Sequence, residues 1–158
     1  FKDFLAPSPF IQCDDKNIAA AARSIIGAET DAQDAAQLLC AWVYNAIEKV
    51  HTMRIPRAAD VLRLRRGDCN EHAVLLAALC RAAGIPAKTC AGIVHLDGSF
   101  YYHAWVELYL QQWVAVDPTM NQFPADVTHI KFVEGELDKQ LLLLRIVGKI
   151  AVDVLEYS

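Results

Sequence analysis

Cys69, His103 and Asp117 are the residues whose types and order could do chemistry. Cys69 lies in Arg66-Gly67-Asp68-Cys69-Asn70-Glu71-His72-Ala73, where a loop becomes a helix. His103 follows in Tyr102-His103-Ala104-Trp105, and Asp117 closes Trp113-Val114-Ala115-Val116-Asp117, on two neighbouring predicted strands. A thiol, an imidazole and a carboxylate in that order are the parts needed for covalent attack on an amide carbonyl.

Five cysteines compete for the role of nucleophile. Cys80 falls eleven residues after Cys69 in an apolar helix, Cys40 in mid-helix and Cys90 in a strand. All three read as small core hydrophobes. Cys13 sits in an irregular lead-in without a partner. Only Cys69 combines a helix start with polar neighbours, where unpaired backbone N–H groups and the helix dipole favour the thiolate. Asp68 and Glu71 oppose that effect, and an imidazolium partner would outweigh them. A catalytic and a purely structural Cys69 both stay open on these features alone.

Among the histidines, His72 points about a hundred degrees away from Cys69 on a 3.6-residue period, which assigns it to capping or surface duty. His51 and His95 sit near element ends without an orienting carboxylate, and His129 has no assigned role. If Ala104 and Val106 face Val116 and Val114, then His103 stands opposite Asp117 on the sheet face away from those valines. That register requires an odd-numbered turn around Leu110. A carboxylate there would fix the imidazole tautomer and stabilise the imidazolium. The competing reading is an ordinary surface His–Asp pair.

The elements that must position these groups are legible from period and punctuation. Residues 1–15, with Pro7 and Pro9, read as an extended lead-in. Helices are predicted over 16–26, ending at Gly27, over 32–50, and over 58–64. The segment 67–84 is the best delimited: Asp68 and Glu71 have capping-box spacing, Gly84 suits the position after a helix, and Pro86 prevents continuation. Its body, 73–83, is nearly all apolar, which predicts a buried central helix. After Pro86 the period becomes two. Strands are expected over 88–96, 99–110, 112–117, 129–133 and 148–156, with Asp97-Gly98 as a hairpin turn. Helices first and an antiparallel meander afterwards define an α+β domain.

Composition excludes several classes. The 158 residues fit a single domain, 1–158, and 54% apolar content argues for a packed core. A net charge of −4 with scattered signs gives no footprint for nucleic acid. No apolar run reaches membrane-span length, because Arg145 interrupts Leu141–Leu144. Neither a Cys-x-x-Cys pair nor Cys/His spacing suggests structural zinc. No cofactor and no metal are expected, and one Cys with one His would be too few ligands for catalytic zinc. The chain begins at Phe1 without an initiator Met, as expected of a piece excised from a longer precursor. The cellular compartment and oligomeric state stay open.

The segments around Cys69, Cys80-Arg81-Ala82-Ala83-Gly84-Ile85-Pro86-Ala87, Tyr102-His103-Ala104-Trp105-Val106-Glu107 and Trp113-Val114-Ala115-Val116-Asp117-Pro118-Thr119 closely resemble the bacterial transglutaminase-like superfamily. The resemblance covers roughly residues 35–132. It implies a papain-like core, with the cysteine on a buried helix packed against an antiparallel sheet. It also implies Cys69 as nucleophile, His103 as general base and then acid, and Asp117 as the residue that orients it. The activity implied is acyl transfer on protein or peptide amides through a Cys thioester, by a peptidase or amidase or by a transglutaminase. Calcium dependence is not expected, because no acidic cluster is present. The alternative is a non-catalytic interaction module that retains the fold. The Cys69 N–H is a natural oxyanion donor. Trp42, Tyr44 and Asn45 are candidates by type for the second, while Trp105, Trp113 and the loop 121–124 are candidates to wall the groove.

Overall fold

The computed structural model describes residues 1–52, 55–140, 143 and 152. The lead-in is not fully extended: Lys2–Phe4 makes one 3₁₀ turn. Helix α1, Lys16–Ile26, starts where the Asp15 carboxylate accepts from the Asn17 and Ile18 N–H groups, and it stops at Gly27 with φ 63°. Helix α2 spans Ala32–Ala46, capped at its start by Asp31. It ends four residues before the expected boundary. Ile47 is extended, and Glu48–Lys49 (β1) instead pairs in parallel with Arg66–Gly67 (β2). Helix α3 covers Ala58–Leu64, as expected.

Helix α4, Cys69–Ala82, forms the centre of the molecule. The Asp68 side chain accepts from the Asn70 N–H, and the Glu71 carboxylate reaches back to the Asp68 N–H at 3.0 Å, completing the capping box. A second hydrogen bond, 2.6 Å from the Thr52 hydroxyl to Glu71, ties that cap to the connection after β1. Residues Glu71 through Arg81 are all buried. The helix is apolar on every side because α1, α2 and α3 pack around it and the sheet covers the rest.

The sheet holds β3 (Ala87–Leu96), β4 (Ser99–Leu110), β5 (Gln112–Val116) and β6 (His129–Glu134), all antiparallel, in spatial order β5-β4-β3-β6. Only β3 to β5 form a meander; β6 returns to the far side of β3 rather than continuing beyond β5. At the β3–β4 turn, Asp97 and Gly98 both take positive φ, 49° and 78°, which fits the Asp-Gly signal. The fifth predicted strand, 148–156, lies outside the described residues except for 152. Ala91, Ala104, Val106, Leu108 and Val116 join the core built on α4, while His103 and Trp105 alternate to the other face. Burial of this shared core is the main term that holds the helix start against the sheet.

Gly92 matters for how closely the sheet assembles. It pairs with His103 on one side and with Lys131 on the other. A Cβ there would lie 2.0 Å from the Ile130 carbonyl oxygen, beside an irregularity in the β3–β6 register. Only a glycine permits that approach.

Candidate active site

The β4–β5 hairpin turns at Gln111, with φ 66°, and pairs Val106 with Val116 and Leu108 with Val114. This is a correction of the expected register, which turned around Leu110 and paired Val106 with Val114. Leu110 instead pairs with Gln112, so every partner moves by two residues. Asp117 therefore lies beyond the end of the ladder and not directly opposite His103. A two-residue shift preserves the sheet face, so the side chains still meet along the diagonal. His103 Nε2 lies 2.7 Å from Asp117 Oδ2.

Asp117 is held from four directions. Its backbone exchanges two hydrogen bonds with Gln122, of 2.9 and 3.0 Å. Its Oδ1 accepts from the Thr119 and Met120 N–H groups at 2.7 and 3.1 Å, an Asx-type turn after Pro118. Its Oδ2 faces His103 and also His129 Nε2, 3.0 Å away. Asp117 is 0% exposed and His103 is buried, which rules out an ordinary surface pair. Burial works against the Asp117 charge, but the hydrogen bonds from His103 and His129 outweigh it and hold the carboxyl well below the usual range.

Sequence reasoning gave His129 no role. It starts β6, whose ladder partner is β3, so no hairpin arithmetic connects it to Asp117. Among the described residues, His103, Asp117 and His129 are the three metal-capable side chains that converge at one point. The ligands at this point are therefore not too few for a metal, contrary to expectation. Contacts of 2.7 and 3.0 Å are hydrogen-bond distances, with a proton between each ring and the carboxylate, and the cluster reads as a proton-sharing group.

Cys69 and His103 line one cleft of about 440 Å³, together with Asn70, Tyr102, Thr119 and Met120. With Nε2 engaged by Asp117, Nδ1 is the ring nitrogen left to serve the cleft. Cys69 is half-buried, whereas Cys13, Cys40, Cys80 and Cys90 are buried, and all five are free thiols. Burial, followed by the neighbouring Asp68 charge, pushes the Cys69 thiol up to about 12, although N–H groups of Ala104 and Asn70 partly offset this. The expectation that the helix start alone favours the thiolate is thereby reversed: desolvation costs the anion more than the first turn returns. Burial thus favours the thiol form of Cys69.

Other expected participants lie elsewhere. Asn45 donates back to the Ala41 carbonyl at 2.8 Å, Tyr44 stacks under the Lys49 ammonium, and Trp42 under the Arg65 guanidinium. None of the three lines the cleft. Trp105 is buried beside His103 and His129, and Trp113 packs against Phe4 and Tyr109, so neither walls the groove. Thr119 and Met120 reach the cleft from the Asp117 loop; residues 121–124 do not. His72 is fully buried, not at the surface, with Nδ1 donating to the Asp68 carbonyl at 2.7 Å. The Tyr102 hydroxyl donates toward Asn70 Oδ1 at 3.1 Å, and burial makes it harder to ionise.

The sequence profile of the transglutaminase-like superfamily matches residues 19–118, and the chain belongs to that superfamily. A protein-glutamine gamma-glutamyltransferase of Pseudomonas aeruginosa is 39% identical over 75 residues, covering 38% of this chain and 11% of that protein. A provisionally designated cysteine protease of Cytophaga hutchinsonii superposes with a TM-score of 0.71 at 25% identity, over 85% of this chain and 46% of the other. The periplasmic domain of TgpA from Pseudomonas aeruginosa superposes with a TM-score of 0.58 at 27% identity, over 75% of this chain and 46% of the other. The chain thus spans about a tenth of the curated relative and under half of these solved chains. The architecture is the papain-like, transglutaminase-like α+β fold.

Proposed function

We propose that this chain catalyses thiol-dependent acyl transfer on amide bonds of proteins or peptides. Cys69 is the nucleophile, His103 the general base and then acid, and Asp117 the residue that orients His103. The observation that carries the reading is the buried 2.7 Å bond between His103 and Asp117, beside a cleft that also contains Cys69.

In the first half-reaction His103 Nδ1 takes the thiol proton as sulfur bonds to the carbonyl carbon. The Cys69 N–H, one of the unpaired donors in the first turn of α4, serves the developing oxyanion. The tetrahedral adduct collapses, the C–N bond breaks, and His103 returns the proton to the departing amine. Water or an amine then attacks the thioester, gives its proton to His103, and releases the acid or new amide; the proton returns to sulfur. Throughout, Asp117 keeps Nε2 protonated and balances the imidazolium charge. Because the resting thiol is a weak acid, proton removal accompanies attack on bound substrate.

Acceptor choice follows from water access. The cleft has exposed Leu96 and Tyr101 on its rim and no enclosing tunnel among the described residues, which favours hydrolysis. The gamma-glutamyltransferase relative supports glutamine carboxamides as donors to try first. Incubation with glutamine peptides and an amide library, with and without a primary amine, separates the outcomes by mass spectrometry. Deamidation or cleavage means hydrolysis, and amine adducts mean transfer. Loss of every product in Cys69→Ala is expected; products made equally by that variant would defeat the reading.

A further inference from the structure

His129 is a second imidazole on the carboxylate that serves His103. Its ring is enclosed: the side chain is 3% exposed, and Trp105 closes one side with ring centroids 5.2 Å apart. Nε2 lies 3.0 Å from Asp117 Oδ2, and Nδ1 lies 3.3 Å from both Asp126 Oδ1 and the Asp126 carbonyl oxygen. All three partners are acceptors. A neutral imidazole has one N–H, so one of its nitrogens would face a carboxylate with a lone pair; only the imidazolium satisfies both ends.

We propose that His129 is a positioning residue, held as an imidazolium, that clamps Asp117 and offsets part of its charge toward His103. The inference deepens the acyl-transfer reading, since it concerns the base of that reaction. The groups that face His129 are Asp117 at the end of β5, Asp126 in the following loop, and His103 on β4, whose ring centroid is 5.7 Å away. The neighbouring cation Lys131 is committed elsewhere, to Glu107 and Glu134 at 2.7 and 2.6 Å. Burial opposes the charged ring, but the Asp117 and Asp126 contacts raise its proton affinity above the ordinary value.

Two consequences follow for the site. First, Asp117 cannot swing toward solvent when His103 gains or loses its proton, because His129 and the 119–120 N–H groups hold it. Second, two imidazoles share one carboxylate, so the Asp117 charge is not spent on His103 alone.

Ring-nitrogen NMR on the whole chain labelled with ¹⁵N-histidine tests the charge directly, without any turnover. At pH 7 both His129 nitrogens are expected to carry protons. In His129→Gln, which keeps a neutral donor for Asp117 but removes the charge, the acid limb of Cys69 alkylation should move upward by about one pH unit relative to the wild type. A His129 ring with only one protonated nitrogen at pH 7 would overturn the proposal. So would an acid limb of Cys69 alkylation unchanged by His129→Gln. The wild-type spectrum decides the charge even if the variant does not fold. Failure of acyl transfer, by contrast, would leave these ring signals untouched.

Discussion

The Asp117 carboxylate reaches His103 from beyond the end of its own ladder, at 2.7 Å and with no exposure to solvent. The contact survives a register different from the expected one because moving by two residues keeps side chains on the same face. Asp117→Asn keeps the shape but removes the charge that balances the imidazolium. Acylation should fall on the order of 10³-fold or more, by analogy with the same change in Ser-His-Asp enzymes. Thioester formation measured by stopped-flow would check this, and an unchanged rate would remove Asp117 from the mechanism.

The thiols should react in an order set by access. Cys69 is half-buried in an open cleft, and Cys80 is wholly buried within α4. Brief treatment with iodoacetamide in native buffer should label Cys69 well before Cys80, as read by peptide mapping. Because burial pushes the Cys69 thiol up to about 12, labelling depends on a working base, and His103→Ala should slow it. Equal labelling of the two thiols would contradict the assignment.

The cap of α4 holds the nucleophile in place. Asp68→Ala removes the acceptor for the Asn70 N–H and should cost about 1 kcal/mol of stability in urea unfolding. Glu71→Ala breaks the bonds to both the Asp68 N–H and Thr52, and it should lower the Cys69 alkylation rate as well as stability.

Gly92→Ala should be damaging although the residue carries no side chain. Its Cβ would lie 2.0 Å from the Ile130 carbonyl oxygen, so β6 must move away. A cost of about 1–3 kcal/mol is expected, with loss of the His129–Asp117 contact in the ring-nitrogen spectrum.

Stability should depend on pH through the same cluster. His129 has a raised proton affinity when folded, so its contribution is complete below the ordinary histidine value of about 6.5 and is lost as pH rises through the raised one. Asp117 is depressed, so its contribution is present above about 3.9 and is lost as pH falls through its folded value. Thermal midpoints should decline as pH rises above about 6.5, and His129→Gln should flatten that decline.

Much of the fold was legible locally. The α4 boundaries follow from Asp68, Glu71 and Gly84, and the β3–β4 turn from Asp97-Gly98, because capping and turn chemistry depend on neighbours in sequence. The same holds for Cys69, His103 and Asp117 as candidates. What escaped depends on distant partners. The end of α2 is set by pairing of Glu48–Lys49 with residues 66–67, and the return of β6 to β3 is set by close approach at Gly92. His129 was missed for that reason: its partner Asp117 follows β5, three places from β6 in the sheet. The reluctance of Cys69 to ionise also escaped, since helix-start position is visible in sequence and desolvation is not.

Peptide-resolved mass spectrometry of the acyl-enzyme tests the central claim most directly. After rapid acid quench of the protein with a glutamine peptide or an activated ester, the acyl group should reside on the fragment containing Cys69 and be released by hydroxylamine, as a thioester is. It should be absent from Cys69→Ala and strongly reduced in His103→Ala. Acylation found on another residue, or turnover that persists without Cys69, would contradict the account.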